Sequence, residues 1–242
     1  SRVVDAVKAG TLSTEALDTA VTNLLRLIER VYREEQQPCD FAANADLAAE
    51  IACKSAVLMK NENAALPLSK NKRYLVIGDL FRFMRYQGSG SSLINPAFLR
   101  TPEDQFRQQG VDYDYIRGYR ESEIDLETEY LNEALEKAKD AENILLFLGQ
   151  TDYVESEGFD RESMTLPKNQ LALIKEVIKL GKRPIVVLFG GSPVELPFAD
   201  DCVAILNMML PGQMGGEATY KLLFGEENPS GKLPETWPLR YK

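Results

Sequence analysis

Four carboxylate side chains lie within nine residues of one polar segment: Asp152, Glu155, Glu157 and Asp160. The segment directly follows the apolar run "NILLFLG" (143–149), which is typical of a buried strand. A carboxyl group can act as a general acid near neutral pH when desolvation or a second carboxylate raises its pKa. Gly158 permits the unusual backbone that would swing such a loop over a pocket. The cluster is therefore a candidate acid–base site, although most acidic clusters on loops are simply solvated.

A second candidate is the glycine-rich stretch "RYQGSGSS" (85–92), which follows the short β-rich run "RYLVIG" (73–78). Its small residues would let the backbone approach a ligand or a neighbouring domain closely. A phosphate-binding loop would carry GxxxxGK[ST], or GxGxxG before a helix, and the stretch has neither. A flexible surface loop is the remaining alternative.

Composition limits the possible partners. The chain has 242 residues, of which 44% are hydrophobic and 27% charged, as in an ordinary globular protein. Its net charge of -9 argues against nucleic acid or an anionic membrane surface as a partner, because both select for basic patches. A neutral substrate such as a sugar is compatible with this charge. No run of 18 apolar residues occurs, so we expect no transmembrane helix.

The sequence contains no histidine, which removes serine–histidine and cysteine–histidine catalysis and the commonest metal ligand. The three cysteines (Cys39, Cys53 and Cys202) lie far apart and form no CxxC pair. We therefore expect neither a disulfide framework nor a zinc site, and no cofactor or metal is implied. Acid–base chemistry is left to carboxylates, lysine, tyrosine or cysteine.

Helices and strands alternate after two N-terminal helical segments. The hydrophobic spacing predicts helices over 13–35, 46–60, 125–142, 169–181 and 216–225, and strands over 73–78, 112–119, 143–149, 183–191 and 202–209. Three of the strands are nearly continuous apolar runs, which indicates burial on both faces. The pattern predicts an α/β fold with a mostly parallel sheet and right-handed crossovers.

In such sheets ligands meet the loops at the carboxyl ends of the strands. Four loops of this kind are rich in glycine, proline or polar residues. They are the acidic segment, "GDLFRFMRYQGSGSSLINP" (78–96), "GGSPVELP" (190–197) and "LPGQMGG" (210–216). We therefore expect the candidate residues to lie at one edge of the sheet.

Several long stretches are similar to the C-terminal domain of glycoside hydrolase family 3, the β-glucosidase and β-xylosidase family. They are "SAVLMKNENAALPL" (55–68), "QGSGSS" (87–92), "ESEGFDRESMTLPKNQLALI" (155–174) and "LPGQMGGEATYKLLFGEENPSGKLPETWP" (210–238). In addition, "AVKAGTLSTEALDTAVTNLLRL" (6–27) resembles the last helical stretch of the family's N-terminal barrel domain. The resemblance implies a three-layer α/β/α sandwich around a mostly parallel sheet, preceded by a helical linker segment.

The resemblance also implies a domain organisation. Residues 1–45 would be the helical end of an absent barrel domain plus a linker, residues 46–235 the sandwich domain, and residues 236–242 the start of an exit linker. The chain starts at Ser1 rather than methionine, so we expect a piece of a longer protein whose cellular location stays open. Two departures from the family are "LPETWP", where many relatives carry Val or Met and a Phe, and the end at "LRYK", where several continue into a fibronectin-like domain.

The family's active site is divided between its two domains, and the nucleophilic aspartate of the barrel is absent here. The resemblance makes Glu157 the general acid/base, with Glu155 as runner-up. The residues that would line the sugar site or the domain interface are Gln87, Gly88, Ser89, Gly90, Asp160 and Arg161. From their adjacency we also expect Asp160 and Arg161 to form a local ion pair that fixes the loop.

The chain is thus expected to be part of an exo-acting retaining β-glycosidase, with β-glucosides or related oligosaccharides as substrate and the barrel domain as partner. On its own it should be inactive. One alternative is a sandwich module that only binds sugar or braces the barrel. Another is an unrelated doubly wound nucleotide-binding domain, against which the missing phosphate motifs weigh.

Overall fold

The computed structural model describes residues 1–33 and 38–241. The chain forms two compact units, Ser1–Phe41 and Ala42–Lys242. The domain boundaries expected after residues 45 and 235 stay a prediction.

The first unit contains two helices, α1 (Arg2–Lys8) and α2 (Thr14–Arg33). The hydroxyl of Ser13 accepts the backbone N–H of Ala16 at 3.1 Å, which satisfies one of the free donors at the start of α2. The predicted helix over 13–35 is confirmed for residues 14–33, and its last two residues lie outside the described part of the chain. The short α1 was not predicted, because seven residues carry too little periodicity.

The second unit is built on one six-stranded sheet in the order β1-β6-β5-β4-β2-β3. Its strands are β1 (Val57–Asn61), β2 (Tyr74–Ile77), β3 (Tyr113–Ile116), β4 (Ile144–Gly149), β5 (Ile185–Phe189) and β6 (Ala204–Asn207). Strand β1 is antiparallel to β6, and all other pairs are parallel. Every residue of β2, β4, β5 and β6 is buried. The mostly parallel sheet is confirmed, and its apolar strands are covered on both faces.

The helices of this unit are α3 (Phe41–Ser55), α4 (Pro102–Gln108), α5 (Thr128–Asp140), α6 (Lys168–Lys179) and α7 (Gly215–Leu223). Helix α4 packs against α7, and α5 packs against α6. Phe106 of α4 contacts Tyr220 of α7 edge to face, with ring centroids 6.2 Å apart. The two helix pairs and the sheet make the three-layer α/β/α sandwich that the sequence predicted.

The helix predicted over 46–60 is wrong beyond Ser55, because residues 57–61 form the edge strand β1. The spacing of this segment also predicts one apolar side formed by Leu47, Ile51, Ala52, Ser55 and Leu58, and that prediction is wrong in part. Leu47 and Ile51 are 52% and 56% exposed, whereas the small residues Ala45, Ala49, Ala52 and Cys53 are buried. Hydrophobic patterning gives weight to large side chains, so it missed a face on which alanines allow a close approach.

Helix α4 was not predicted either. Its first turn has a capping box, in which the hydroxyl of Thr101 accepts the N–H of Asp104 and the Asp104 carboxylate accepts the N–H of Thr101. Pro102 occupies the first helical position, where a missing N–H costs nothing. The capping box and the proline were visible in the sequence, but a helix of only seven residues has too little hydrophobic periodicity to be predicted.

No helix in residues 1–33 or 38–241 is long and apolar enough to span a membrane.

The end of β4 is held by a buried amide on α6. Gln170 accepts the N–H of Gly149 at 2.8 Å and donates to the Gly149 carbonyl at 2.9 Å. A Cβ on Gly149 would lie 2.0 Å from the carbonyl oxygen of Phe189, so β4 and β5 are in contact at this point. These two hydrogen bonds, called the Gln170 clamp below, thus fix the point where β4 ends and the loop with the four carboxylates begins.

Replacing Gln170 by leucine should destabilise the chain by roughly 3 kcal/mol, because two buried backbone groups lose these hydrogen-bond partners. The free energy of unfolding in urea measures the effect. The exposed Gln108→Leu is the matched control and should change it by less than about 0.5 kcal/mol. Equal stability of the two variants would contradict the clamp.

Candidate active site

The loops that follow β2, β4, β5 and β6 meet at one edge of the sheet. The backbone N–H of Glu157, in the loop after β4, donates to the carbonyl of Ser89 at 3.4 Å. The N–H of Gly212, after β6, donates to the carbonyl of Tyr86 at 2.9 Å. The loop after β5 joins them through Gly191, described below. The candidate residues from separate parts of the sequence are therefore neighbours.

Glu157 lies on the surface of this loop cluster, with its carboxylate bound to the glycine–serine loop. Its Oε2 accepts the hydroxyl and the backbone N–H of Ser91, the latter at 2.6 Å. The hydroxyl first, and then the N–H, stabilise the charged form and hold the pKa of Glu157 below its usual value. Because the side chain is exposed, it can still reach a group outside this chain.

Two glycines shape the backbone around Glu157. Gly90 has φ +87°, and a Cβ there would lie 2.5 Å from the Cβ of Glu157, so the two loops approach closely at this position. Gly158 has φ +97°, a conformation that L-residues with side chains rarely adopt. The sequence-based expectation of an unusual backbone beside Glu157 therefore holds.

Glu155 lies only two residues earlier, in a different environment. Its side chain is 17% exposed and ion-pairs with Arg85 at 3.3 Å. One carboxylate oxygen accepts the N–H of Gly191 at 2.9 Å, and the other accepts the hydroxyl of Ser192. Glu155 thus joins the loop after β4 to the loops after β2 and β5.

Arg85 is the residue that sequence reasoning missed. Its side chain is 4% exposed, with Nη1 3.2 Å from Asp152 and Nη2 2.6 Å from the carbonyl oxygen of Glu155. Asp152 also accepts the hydroxyl of Ser89. The sequence showed only an arginine at the start of the glycine–serine loop. Its role could not be recognised there, because its partners come about 70 residues later in the chain.

The expected residues of the glycine–serine loop divide into two groups. Ser89 and Gly90 contact the carboxylate cluster, as described above. Gln87 instead braces its own loop, donating to the Ile94 carbonyl at 2.9 Å and accepting the Ile94 N–H at 3.0 Å. A Cβ on Gly88 would lie 2.9 Å from the Ser92 hydroxyl, which indicates a tight turn. Their contact with sugar or another domain stays a prediction.

The ion pair expected between Asp160 and Arg161 is wrong. Both residues are described, and no N–O distance of 4 Å or less joins them. Arg161 donates instead to the carbonyl of Pro193 in the loop after β5, at 3.0 Å, while Asp160 is exposed. Consecutive side chains of an irregular segment point in different directions, so sequence adjacency was a poor guide.

A further buried carboxylate braces the same edge of the sheet. Asp79 accepts the Tyr115 hydroxyl and the N–H of Glu121, each at 3.1 Å, and ion-pairs with Arg117 at 3.2 Å. Burial, and then the charges of Asp79 and Asp152, raise the pKa of Glu121 above its usual value. None of these residues was singled out from the sequence.

A cavity of about 340 Å³ opens beside the loop cluster. Gln87, Gly88, Asp152 and Glu121 are among its lining residues, and Glu157 lies outside the lining.

Among residues 1–33 and 38–241, no group of three or more cysteine, aspartate and glutamate side chains is placed to hold a metal ion.

The family model described as "Glycosyl hydrolase family 3 C-terminal domain" matches residues 56–242. The chain belongs to this family. The resemblance seen in the sequence is thereby confirmed, and with it the assignment of the sandwich to the family's C-terminal domain.

The curated proteins to which this chain is similar include glycoside hydrolases. Thermostable beta-glucosidase B of Acetivibrio thermocellus is 39% identical over 244 residues, which are 99% of this chain and 32% of that protein. The exo-alpha-(1->6)-L-arabinopyranosidase of Bifidobacterium longum is 34% identical, over 98% of this chain and 33% of its own length. The chain thus spans about a third of the curated relatives that it matches.

A solved structure agrees with this assignment. The GH3 beta-glucosidase of Bifidobacterium adolescentis superimposes with a TM-score of 0.91 at 35% identity. The match covers 99% of this chain and 36% of the crystallised one. The sandwich and both N-terminal helices therefore have counterparts in a family 3 enzyme.

Replacing Ser91 by alanine should raise the pKa of Glu157 towards its ordinary value, because the hydroxyl that stabilises the carboxylate is lost while the backbone N–H remains. A carbon-13 NMR titration of the glutamate carboxyls in the purified chain measures this. Ser92→Ala is the matched control, since Ser92 donates to the carbonyl of Ser89 and should leave the titration unchanged. An unchanged pKa in the Ser91 variant would contradict the contact.

Proposed function

We propose that this chain is the C-terminal domain of an exo-acting retaining β-glycosidase, and that it supplies the general acid/base, Glu157, to an active site completed by a barrel domain. The observation that carries the proposal is the contrast between two neighbouring glutamates. Glu157 is exposed at the meeting point of the loops, whereas Glu155 is engaged on both carboxylate oxygens within its own domain.

A general acid must come within hydrogen-bonding distance of the leaving-group oxygen. Glu155 would first have to release its hydrogen bonds with Gly191 and Ser192 and its ion pair with Arg85. Glu157 needs only to exchange Ser91 for substrate. The runner-up from the sequence is therefore better suited to holding the loop than to transferring a proton.

In a retaining mechanism a second carboxylate, about 5 Å away, attacks the anomeric carbon while Glu157 protonates the leaving oxygen. Glu157 then takes a proton from the water that releases the sugar. Ser91 stabilises the carboxylate that exists between these steps. Within this chain the pKa of Glu157 is lowered, so the partner carboxylate of the barrel must raise it for the first step.

The proposed substrate is a β-glucoside, as the name of the 39%-identical relative suggests. The proposed domain organisation is the one that the family resemblance implies: residues 1–45 form the helical end of the barrel domain plus a linker, residues 46–235 form the sandwich, and residues 236–242 begin an exit linker. The residues that would face the sugar or the barrel are Gln87, Gly88, Ser89, Gly90, Asp160 and Arg161.

The acid/base role predicts a leaving-group dependence in the intact parent enzyme. Glu157→Ala should lower kcat for an alkyl β-glucoside by about 10²–10⁴-fold, because the alkoxide cannot leave without a proton. Hydrolysis of 2,4-dinitrophenyl β-glucoside should suffer far less, and added azide should yield a glucosyl azide. Initial rates and product analysis measure both.

Glu162→Ala, an exposed glutamate of the same loop, is the matched control and should behave as wild type. If Glu157→Ala hydrolyses both substrates at the wild-type rate, Glu157 is not the acid. If Glu155→Ala does so as well, the alternative of a non-catalytic module is favoured.

The purified 242-residue chain should not hydrolyse an aryl β-glucoside at a measurable rate, because one carboxylate cannot perform a double displacement that needs two. The intact parent enzyme at equal molar concentration is the positive control. Turnover by the chain alone that disappears in its Glu157→Ala variant would overturn the divided active site.

A further inference from the structure

Arg85 is an almost fully buried cation at the base of the acidic loop. Its guanidinium ion-pairs with Asp152 at 3.2 Å and with Glu155 at 3.3 Å, and it donates to the Glu155 carbonyl at 2.6 Å. A planar guanidinium can bind several oxygens at fixed angles, which an ammonium group cannot. Asp152 and Glu155, which are three residues apart in the loop after β4, are thus both paired with one side chain.

These contacts continue to Glu157 along two routes. On one route, Glu155 is two residues before Glu157 and is itself held by Gly191 and Ser192. On the other, Asp152 accepts the hydroxyl of Ser89, whose carbonyl accepts the N–H of Glu157 at 3.4 Å. Arg85 therefore supports the backbone of Glu157 from both sides without touching its carboxylate.

We propose that Arg85 is a positioning residue for the acid/base, which it holds in place by pairing with Asp152 and Glu155. The proposal rests on the proposed function of Glu157. A buried cation that loses its partners, or a partly buried carboxylate that loses its cation, carries a large desolvation penalty. Arg85 and Glu155 therefore stay together, while Asp152, whose side chain is 63% exposed, pairs with Arg85 from the solvent side of the loop.

The test is a double-mutant cycle in the intact parent enzyme, with alkyl and 2,4-dinitrophenyl β-glucosides as substrates. Arg85→Met should lower kcat for the alkyl substrate by about tenfold or more, since misplacement of a catalytic group by about 1 Å can cost 10²-fold. It should change kcat for the dinitrophenyl substrate by less than about threefold. In the Glu157→Ala background Arg85→Met should cause no further loss on the alkyl substrate, because it acts through Glu157.

Two more variants make the result independent of folding defects. Arg85→Met/Glu155→Gln removes both charges of the pair and should show the same selective loss. Arg85→Lys, which keeps the charge but not the planar fork, should recover only part of the alkyl activity. Arg82→Met is the matched control from the same loop. Arg82 forms an ion pair with Glu103, and in the variant Glu103 keeps its ion pair with Arg107. It should leave both substrates within about twofold of wild type.

The outcomes separate the two proposals. If Glu157→Ala keeps the alkyl activity, the proposed function and the role of Arg85 both fail. If Glu157→Ala loses it and Arg85→Met costs a further tenfold in that background, only the role of Arg85 is overturned. Equal losses of activity on both substrates in Arg85→Met/Glu155→Gln also overturn the role of Arg85, because they indicate a general structural defect.

Discussion

The parallel pairing of β2, β4, β5 and β6 is the constraint on which the rest of the molecule depends. Parallel strands that are buried on both faces need helical crossovers, so all their carboxyl ends point to the same edge of the sheet. Four polar loops are thereby brought together although they are separated by up to about 130 residues in sequence. The apolar layers stabilise the fold, and the loops at this edge form the candidate active site.

The carboxylates gathered at this edge of the sheet repel one another, and specific cationic and hydrogen-bonding partners in the loops offset this repulsion. Arg85 ion-pairs with both Asp152 and Glu155, and backbone N–H groups and serine hydroxyls donate to carboxylate oxygens of Glu155 and Glu157. Hydrogen bonds to a charged carboxylate are stronger than those between neutral groups. Glu155 and Glu157 therefore differ in burial and partners although they are two residues apart, and this difference, rather than the number of carboxylates, is the basis of the roles proposed for them.

The sheet and most of its helices could be predicted because apolar runs and helical spacing are local signals. The prediction failed over residues 57–60, where β1 continues directly from α3 and the buried helical face is made of alanines. Of the candidate site, the acidic segment and the glycine–serine loop were identified by type and spacing. Arg85, and the fact that Arg161 binds Pro193 rather than Asp160, depend on contacts between distant loops, which no local pattern encodes.

The lowered pKa of Glu157 has a consequence for the proposed active site, which is divided between two domains. Ser91 favours the carboxylate, so the sandwich domain by itself holds this residue in the form of a base. In the proposed mechanism a second domain brings a like-charged carboxylate to about 5 Å, which disfavours the charged form of Glu157. Under this proposal the proton affinity of Glu157 depends on domain assembly, because the acid form needed for the first step is favoured only when both carboxylates are present. In the same proposed mechanism the nucleophile loses its charge in the glycosyl intermediate, and the hydrogen bonds from Ser91 then favour the base that the second step requires.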